Sequence, residues 1–337
     1  MRRDAETPGG SERLAGPLVY FLCVPASADT ASNPALRPRR SADDERDWAD
    51  RLLAVVGRDP TEWLEPKLAA FIAIFAVHCA FREWTSLFDV NAPVPFSEAS
   101  DRILPLAIIF SVCAVGCLLE RTRGVSLAVV VAALTYKGGE LAPTWSNHFT
   151  IEWITGVFLL LGSRHRDRYA MLCLALKWLL FAALFWSGAQ KALHGTYFEG
   201  TYLAYAISHG ARFADFFAWV LPAAEVDRLL SVAYPGPYRL ESWLGIALAN
   251  GIWIGEISCA LMLLSDRLRP FGAVGALFLL TGIELAAREF MFGLLFLNLL
   301  LLYPHRDWNR RLSPLFLVAY CVLLLNRTGV IDIGVTN

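Results

Sequence analysis

Two short stretches set ionisable side chains at the rims of long apolar segments. One is Trp145-Ser-Asn-His148; the other runs Ser187-Gly-Ala-Gln-Lys191-Ala-Leu-His-Gly-Thr-Tyr-Phe-Glu199-Gly-Thr. Charge placed inside or beside a membrane-length apolar segment is costly and usually marks function. A partly desolvated lysine can act as a base, and a neighbouring histidine can act as acid, base or hydrogen-bond donor. Lys191 is therefore the first candidate catalytic residue, with His148 beside it and Trp145 and Asn147 at the same rim. Glu152, one turn after His148, shares its helix face and is expected to pair with it. Glu199 follows the lysine motif and joins the candidate pocket.

Two further carboxylates lie deep in apolar sequence. Glu256, in Trp253-Ile-Gly-Glu256, must be paired, protonated or turned to a wet cavity, with Lys177 and Asn250 as expected partners, and it is the third candidate catalytic residue, a supporting carboxylate to Lys191 and His148. Glu284 stands one turn before Arg288, so a local ion pair is its plain explanation, and a place with Glu152 and Glu199 in the candidate substrate pocket is its functional one. Lys137 and Glu140 flank two glycines and are expected to cap the third apolar segment. No dinucleotide fingerprint, phosphate loop, zinc-protease helix or nucleophile elbow occurs in a fitting context. The seven cysteines, Cys23, Cys79, Cys113, Cys117, Cys173, Cys259 and Cys321, lack CxxC spacing and read as small hydrophobes, so no metal site is expected.

These residues need apolar elements to hold them. The chain is 56% hydrophobic and 18% charged, with a mean hydropathy of +0.45, well above a soluble domain. It reads as an all-α polytopic membrane protein whose partner is the lipid bilayer. A net charge of −1 offers no basic field for nucleic acid. Apolar segments near 67–88, 104–119, 125–141, 149–162, 169–193, 240–264, 270–287, 289–303 and 314–326 suggest a bundle of about nine transmembrane helices. The pair over 270–303, parted by Arg288 and Glu289, is expected to form a short hairpin. Residues 201–221, apolar but broken by Arg212, Asp215 and Pro222, suit an interfacial segment.

The connections Arg121–Arg123, Arg164–Arg168, Arg267–Arg269 and Arg306–Arg311 are basic, and the alternate ones are poorer in positive charge. The positive-inside rule then puts the N-terminus in the cytoplasm, the C-terminus outside, and Lys191, His148 and the 194–239 connection on the outer side. Residues 1–60, rich in Arg, Asp, Pro and Ser, read as a mostly disordered tail, and 327–337 as a short C-terminal tail. The island Leu18–Val24 resembles a signal peptide only in part, because Asp4, Glu6, Glu12 and Pro17 spoil its leader.

Trp145-x-Asn147-His148, then Gly188-x-x-Lys191 and Tyr197-Phe-Glu-Gly-Thr-Tyr-Leu203, with Glu256 and Phe290-Met-Phe-Gly293 following in order, resemble a known domain. It is the transmembrane domain of vitamin K-dependent gamma-carboxylases, shared with bacterial horizontally transferred transmembrane (HTTM) proteins. The resemblance covers residues 67–325, within an expected domain of 61–326. It implies that Lys191 takes the place of the base that deprotonates a reduced quinone, that His148 assists, and that the quinone is not covalently bound. The chain departs from the family at Ile283-Glu284, where many members carry an aromatic-His pair. It also has no β-rich domain after the last span, so gamma-carboxylation of a protein is not expected. Some bacterial relatives of this size resemble the sporulation-delaying protein B group, which implies a role in maturing a small secreted peptide toxin. The expectation is thus a bacterial inner-membrane protein, either a quinol- or lipid-dependent modification enzyme or a maturation factor. Its rivals are a non-catalytic lipid- or peptide-binding, immunity-like protein, and a channel or carrier lined by Glu256 and Glu284.

Overall fold

The computed structural model describes residues 61–88, 96–140, 147–232, 235–304 and 307–331. The expected N-terminal tail, including the signal-like island, lies outside the described residues, as do Trp145, Arg306 and most of the C-terminal tail.

Every apolar segment expected from the sequence is a helix. In chain order these are α1 (Thr61–Leu87), α2 (Phe96–Leu118), α3 (Glu120–Glu140), α4 (Asn147–Gly162) and α5 (Tyr169–His194). Three short helices follow, α6 (Thr201–His209), α7 (Ala211–Phe217) and α8 (Ala223–Leu230). The chain then continues through α9 (Trp243–Leu263), α10 (Arg269–Ala287), α11 (Phe290–Leu300) and α12 (Trp308–Arg327). No strand occurs among the described residues.

By length and composition, four helices are long and apolar enough to cross a membrane: α1, α5, α9 and α10. The others fall short for evident reasons. The 16 residues of α4 rise only about 24 Å. Helix α3 carries Glu120, Arg121, Arg123, Lys137 and Glu140, and α12 opens on Asn309-Arg310-Arg311.

The main core gathers apolar side chains of α1 to α5 and α9 to α11, with α1 at its centre. Fully buried Phe71, Ile72 and Phe75 of α1 meet Leu127 and Leu134 of α3 and Leu176 and Leu180 of α5. A second, smaller core joins α6, α7 and α8 to the start of α9 through Leu203, Ile207, Leu229, Leu240 and Ala249. The expected interfacial segment is thus a layer of short helices. The longest of the three, nine residues, rises only about 14 Å and cannot cross a bilayer.

Two sets of polar contacts define the two ends of the bundle. At one end Arg166 lies 3.0 Å from Glu65 and 3.4 Å from Glu120. There also the fully buried Lys67 donates to the carbonyls of Leu302 and Pro304, at 3.1 and 2.7 Å. This lysine satisfies carbonyls at the C-terminus of α11, where a cation also suits the helix dipole. At the other end Arg288 reaches Asp215 at 3.1 Å, His148 meets Glu289 at 3.3 Å, and the Asn250 amide donates to the Phe198 carbonyl at 3.0 Å. The motifs around 148, 199, 215 and 288 therefore share one end, as the loop charges require, and the basic turns at 119–123 and 163–168 share the other.

The hairpin expectation holds. Helix α10 stops at Arg288, whose φ of 57° turns the chain back so that Glu284 packs on Gly293. A Cβ at Gly293 would lie 2.5 Å from Glu284 Cγ.

Glu225 of α8 fastens the short-helix layer to α9. Its carboxylate accepts from the backbone of Glu241 at 2.6 Å and of Ser242 at 3.1 Å, and Ser242 in turn caps α9 through Gly245 N. Burial pushes this carboxyl up, but the hydrogen bonds from Ser242 and Glu241 and the charge of Arg228 outweigh burial and hold it below the usual glutamate value. A depressed folded-state value means the stabilisation is complete above the unfolded value and fades as pH falls through the folded one. Hydrogen-exchange protection across 223–245, corrected for the slower intrinsic exchange in acid, should fall on acidification below the ordinary glutamate range. In Glu225→Gln the same amides should exchange fast at neutral pH and lose that pH dependence.

Candidate functional site

Lys191 and Glu256 come together. Gly188 lets α5 and α9 approach closely: a Cβ there would lie 2.8 Å from the Trp253 carbonyl and 2.8 Å from Ile257 Cγ1. Small residues at such crossings are the usual means of bringing membrane helices into contact. One turn further along α5, the Lys191 ammonium donates to Glu256 Oε1 and, at 3.0 Å, to Ser187 Oγ. The Ser187 hydroxyl donates to the same Oε1 at 3.2 Å, and the Tyr197 ring lies 5.6 Å from Nζ. Glu256 is 3% exposed, and its Oε2 has no hydrogen-bond partner among the described residues. The partners expected for Glu256 are engaged elsewhere. Lys177 is buried near the Tyr303 ring, and Asn250 accepts from Trp253 Nε1 while donating to Phe198 and Ile246 carbonyls.

His148 belongs to a different place. Its ring stacks on Phe292, with centroids 3.7 Å apart, and it faces Glu289. The expected pair with Glu152 does not form, because Glu152 turns inward at 2% exposure while His148 sits at the rim. Glu152 instead meets Arg82 in a close ion pair, receives a hydrogen bond from Cys79 Sγ at 3.3 Å, and lies 4.0 Å from His78 Nε2. Arg82 also binds Glu83 at 2.7 Å, and Lys137 binds Glu83 at 2.5 Å. Lys137 is therefore a partner of α1 rather than a cap of α3.

Around this network lies a cavity of about 420 Å³, within the range of small-molecule sites. Its polar wall includes Arg82, Lys137, His148, Glu152, Arg288 and Glu289, and its apolar wall comes from α11 and Leu323. Lys191 lines neither this cavity nor the second one described below. The single centre expected from the sequence is thus two: a Lys191–Glu256–Ser187 cluster between α5 and α9, and a His148 cavity between α1, α3, α4, α11 and α12.

Compared with known proteins, the chain matches no family model, no curated protein and no solved structure.

The other expected residues are placed as follows. Glu284 is 5% exposed, and its Oε2 has no hydrogen-bond partner among the described residues. Its expected partner Arg288 sends its guanidinium to Asp215 and touches Glu284 through the backbone. Glu284 lines a second cavity of about 250 Å³, otherwise nearly all apolar, between α10, α11 and α12. Glu199 is 68% exposed, 3.9 Å from Arg239, and borders neither cavity. Asn147 is exposed at the first position of α4. Six cysteines are described and all are free; no cluster of His, Cys, Asp or Glu fit for a metal occurs among the described residues.

His78, Arg82 and Glu83 join the site although they are not among the residues expected from spacing. The same cost argument that singled out Glu256 applies to three ionisable groups within the first apolar segment. A buried knot also went unnoticed, in which the fully buried Asn309 donates to Asn298 Oδ1 at 2.7 Å and Asn298 donates to the Phe71 carbonyl at 3.2 Å.

Removing one member of a buried ion network strands its partners. Arg82→Met should lower stability by about 3 kcal/mol, and Arg82→Met with Glu152→Gln should recover part of the loss, read from thermal unfolding of the purified protein. Gly188→Val should cost about 1–3 kcal/mol by overpacking the α5–α9 crossing. A disulfide-trapping series between α5 and α9 should then report wider spacing.

Proposed function

We propose that the chain is a multi-pass bacterial inner-membrane protein of the carboxylase-like HTTM class. Lys191, Glu256 and Ser187 form its acid–base centre, which serves a quinol- or lipid-dependent modification or the maturation of an exported peptide. The observation that carries this reading is the Lys191–Glu256 contact within an otherwise apolar helix crossing. Desolvating two charges costs several kcal/mol per ion, and apolar residues of similar size would hold the helices at least as well.

A close ammonium–carboxylate pair has a chemistry of its own. Moving the shared proton from Nζ to Oε1 converts the pair to an amine and a carboxylic acid. The amine can then take a proton from a substrate O–H, leaving an ammonium beside the new oxyanion, where the Ser187 hydroxyl can donate. The groups around Lys191 suit a hydroquinone in kind, combining hydrogen-bonding groups with the aromatic face of Tyr197. A quinone, when bound, supplies the redox chemistry. The part of this chain is to hold and move a proton at Nζ. His148, at the rim of the neighbouring cavity, acts there as an auxiliary donor or acceptor.

The nine segments α1 to α5 and α9 to α12 are read as the spans, and α6 to α8 as an interfacial layer. The end gathering Arg121–Arg123, Arg164–Arg168 and Arg267–Arg269 is assigned to the cytoplasm with the N-terminus. The Lys191, His148 and Glu289 end and the C-terminus then face outward.

Oxygen consumption by full-length protein reconstituted with a reduced quinone should fall on the order of 100-fold in Lys191→Ala. Lys191→Arg, which keeps the charge but cannot give up a proton, should fall as far. Full activity in Lys191→Arg, with insertion intact, would sink the base assignment.

A further inference from the structure

One carboxyl of the bundle is left unmatched. The Oε2 of Glu284 on α10 is buried without a hydrogen-bond partner, and no cation stands within ion-pair distance of it among the described residues. The charge that acts on it is that of Glu289, of its own sign. Gly293 of α11 makes the room: a Cβ there would lie 2.8 Å from Glu284 Cδ and 3.2 Å from Oε2. Elsewhere the bundle matches its buried carboxylates with cations, Glu152 with Arg82, Glu83 with Lys137 and Glu256 with Lys191. A buried carboxyl without such a partner is costly, and within a membrane-length helix that cost usually marks a ligand site.

The carboxyl opens into the slot of about 250 Å³ between α10, α11 and α12, and it is the only ionisable group among the described residues of that lining. Phe290 and Leu323 part the slot from the His148 cavity, whose charged groups are not in its walls. The helix directions grade the lining. Glu284, Phe290 and Gly293 stand at the hairpin corner, at the end of the bundle that holds His148, whereas Leu277 lies about two turns back along α10 and Leu297 about one turn on along α11. The slot thus has one polar end and an apolar shaft. It reaches the bundle surface on α10, where Leu277 and Thr281 are exposed.

An alkyl chain with a hydrogen-bond donor at one end matches this shape. A hydroxyl head would satisfy Oε2 but leave a carboxylate's charge uncompensated, and a carboxylate head would be repelled. A primary amine, protonated at neutral pH as lysine is, supplies donor and opposite charge together, in a bond about twice as strong as a neutral one.

We propose that the slot between α10, α11 and α12 binds a lipophilic primary amine, its ammonium on Glu284 Oε2 and its chain along Leu277, Leu280, Leu294 and Leu297. This site shares no group with the Lys191 chemistry and stands or falls apart from it.

The test uses full-length protein in phosphatidylcholine nanodiscs with radiolabelled decylamine, and empty discs give the background of partition into lipid. Decanol and decanoate, with the same chain and other heads, are the competitors. Saturable binding of the amine is expected, with decanol competing about tenfold less well and decanoate not at all. Glu284→Gln, of the same shape without the charge, should weaken amine binding about tenfold and bring it down to the level of decanol. Ala319→Trp, which fills the slot from α12, should weaken amine and alcohol alike. Val318→Trp, on the exposed face of α12, should alter neither and serves as the insertion control. Should Glu284→Gln fail to insert, the ranking of the three heads and Ala319→Trp decide. Absence of saturable binding, decanol or decanoate competing as well as unlabelled amine, or amine affinity unchanged in either Glu284→Gln or Ala319→Trp overturns the site.

Discussion

An apolar bundle permits no unmatched charge, and the arrangement of these helices follows from that constraint. Arg82, Glu83, Lys137 and Glu152 come from α1, α3 and α4, and none of them is balanced by its own helix alone. Helix α1 can bury its ionisable stretch only where α3 supplies Lys137 and α4 supplies Glu152. Lys191 and Glu256 impose the same condition on α5 and α9. Hydrophobic contact would allow these helices many rotations about their axes, whereas the ion pairs admit few. The polar groups thus set the register and the apolar side chains fill the space that remains, as Phe71, Ile72 and Phe75 do around α1.

The short-helix layer obeys a related rule at the bundle end. Helices α6 to α8 have too little apolar area to stand alone, so they share a core with the start of α9 and borrow hydrogen bonds from it through Glu225. Tyr197 and Tyr202, stacked with centroids 5.1 Å apart, lie between the two polar centres. Tyr197 covers the Lys191 ammonium, and Tyr202 feels the charge of Glu289, the partner of His148. The layer therefore touches both centres without belonging to either.

Helix positions were legible in the sequence because a run of apolar residues bounded by Arg or Gly has few alternatives. The shared end of residues 148, 199 and 288 was legible too, since loop charge alternates along the chain. Lys191 and Glu256 could each be singled out by the cost of their burial, but not as a pair. Their joining depends on how α5 rotates against α9, which Gly188 decides and no periodicity reports. Local spacing misled where a distant partner was stronger. His148 and Glu152 stand one turn apart, yet Arg82 claims Glu152 and Glu289 claims His148. The Arg82 network escaped notice because cation and carboxylate are adjacent in sequence and look self-neutralising, although both look outward to other helices for partners. Glu284 was read as half of a local pair, but the left-handed backbone at Arg288 carries that guanidinium away to Asp215.

That turn has a mechanical side. A glycine would end α10 there without steric penalty, whereas a branched-off side chain at positive φ costs roughly 1 kcal/mol or more. What the arginine provides in exchange is a strut. Its backbone forms the corner of the hairpin and its side chain grips α7, so the corner and the surface layer move as one piece. Any ligand or partner that shifts α7 sideways would drag the start of α11 with it, and with it Glu289, Phe292 and the histidine stacked on them. A short helix of the surface layer is thereby geared to the mouth of the cavity that His148 rims.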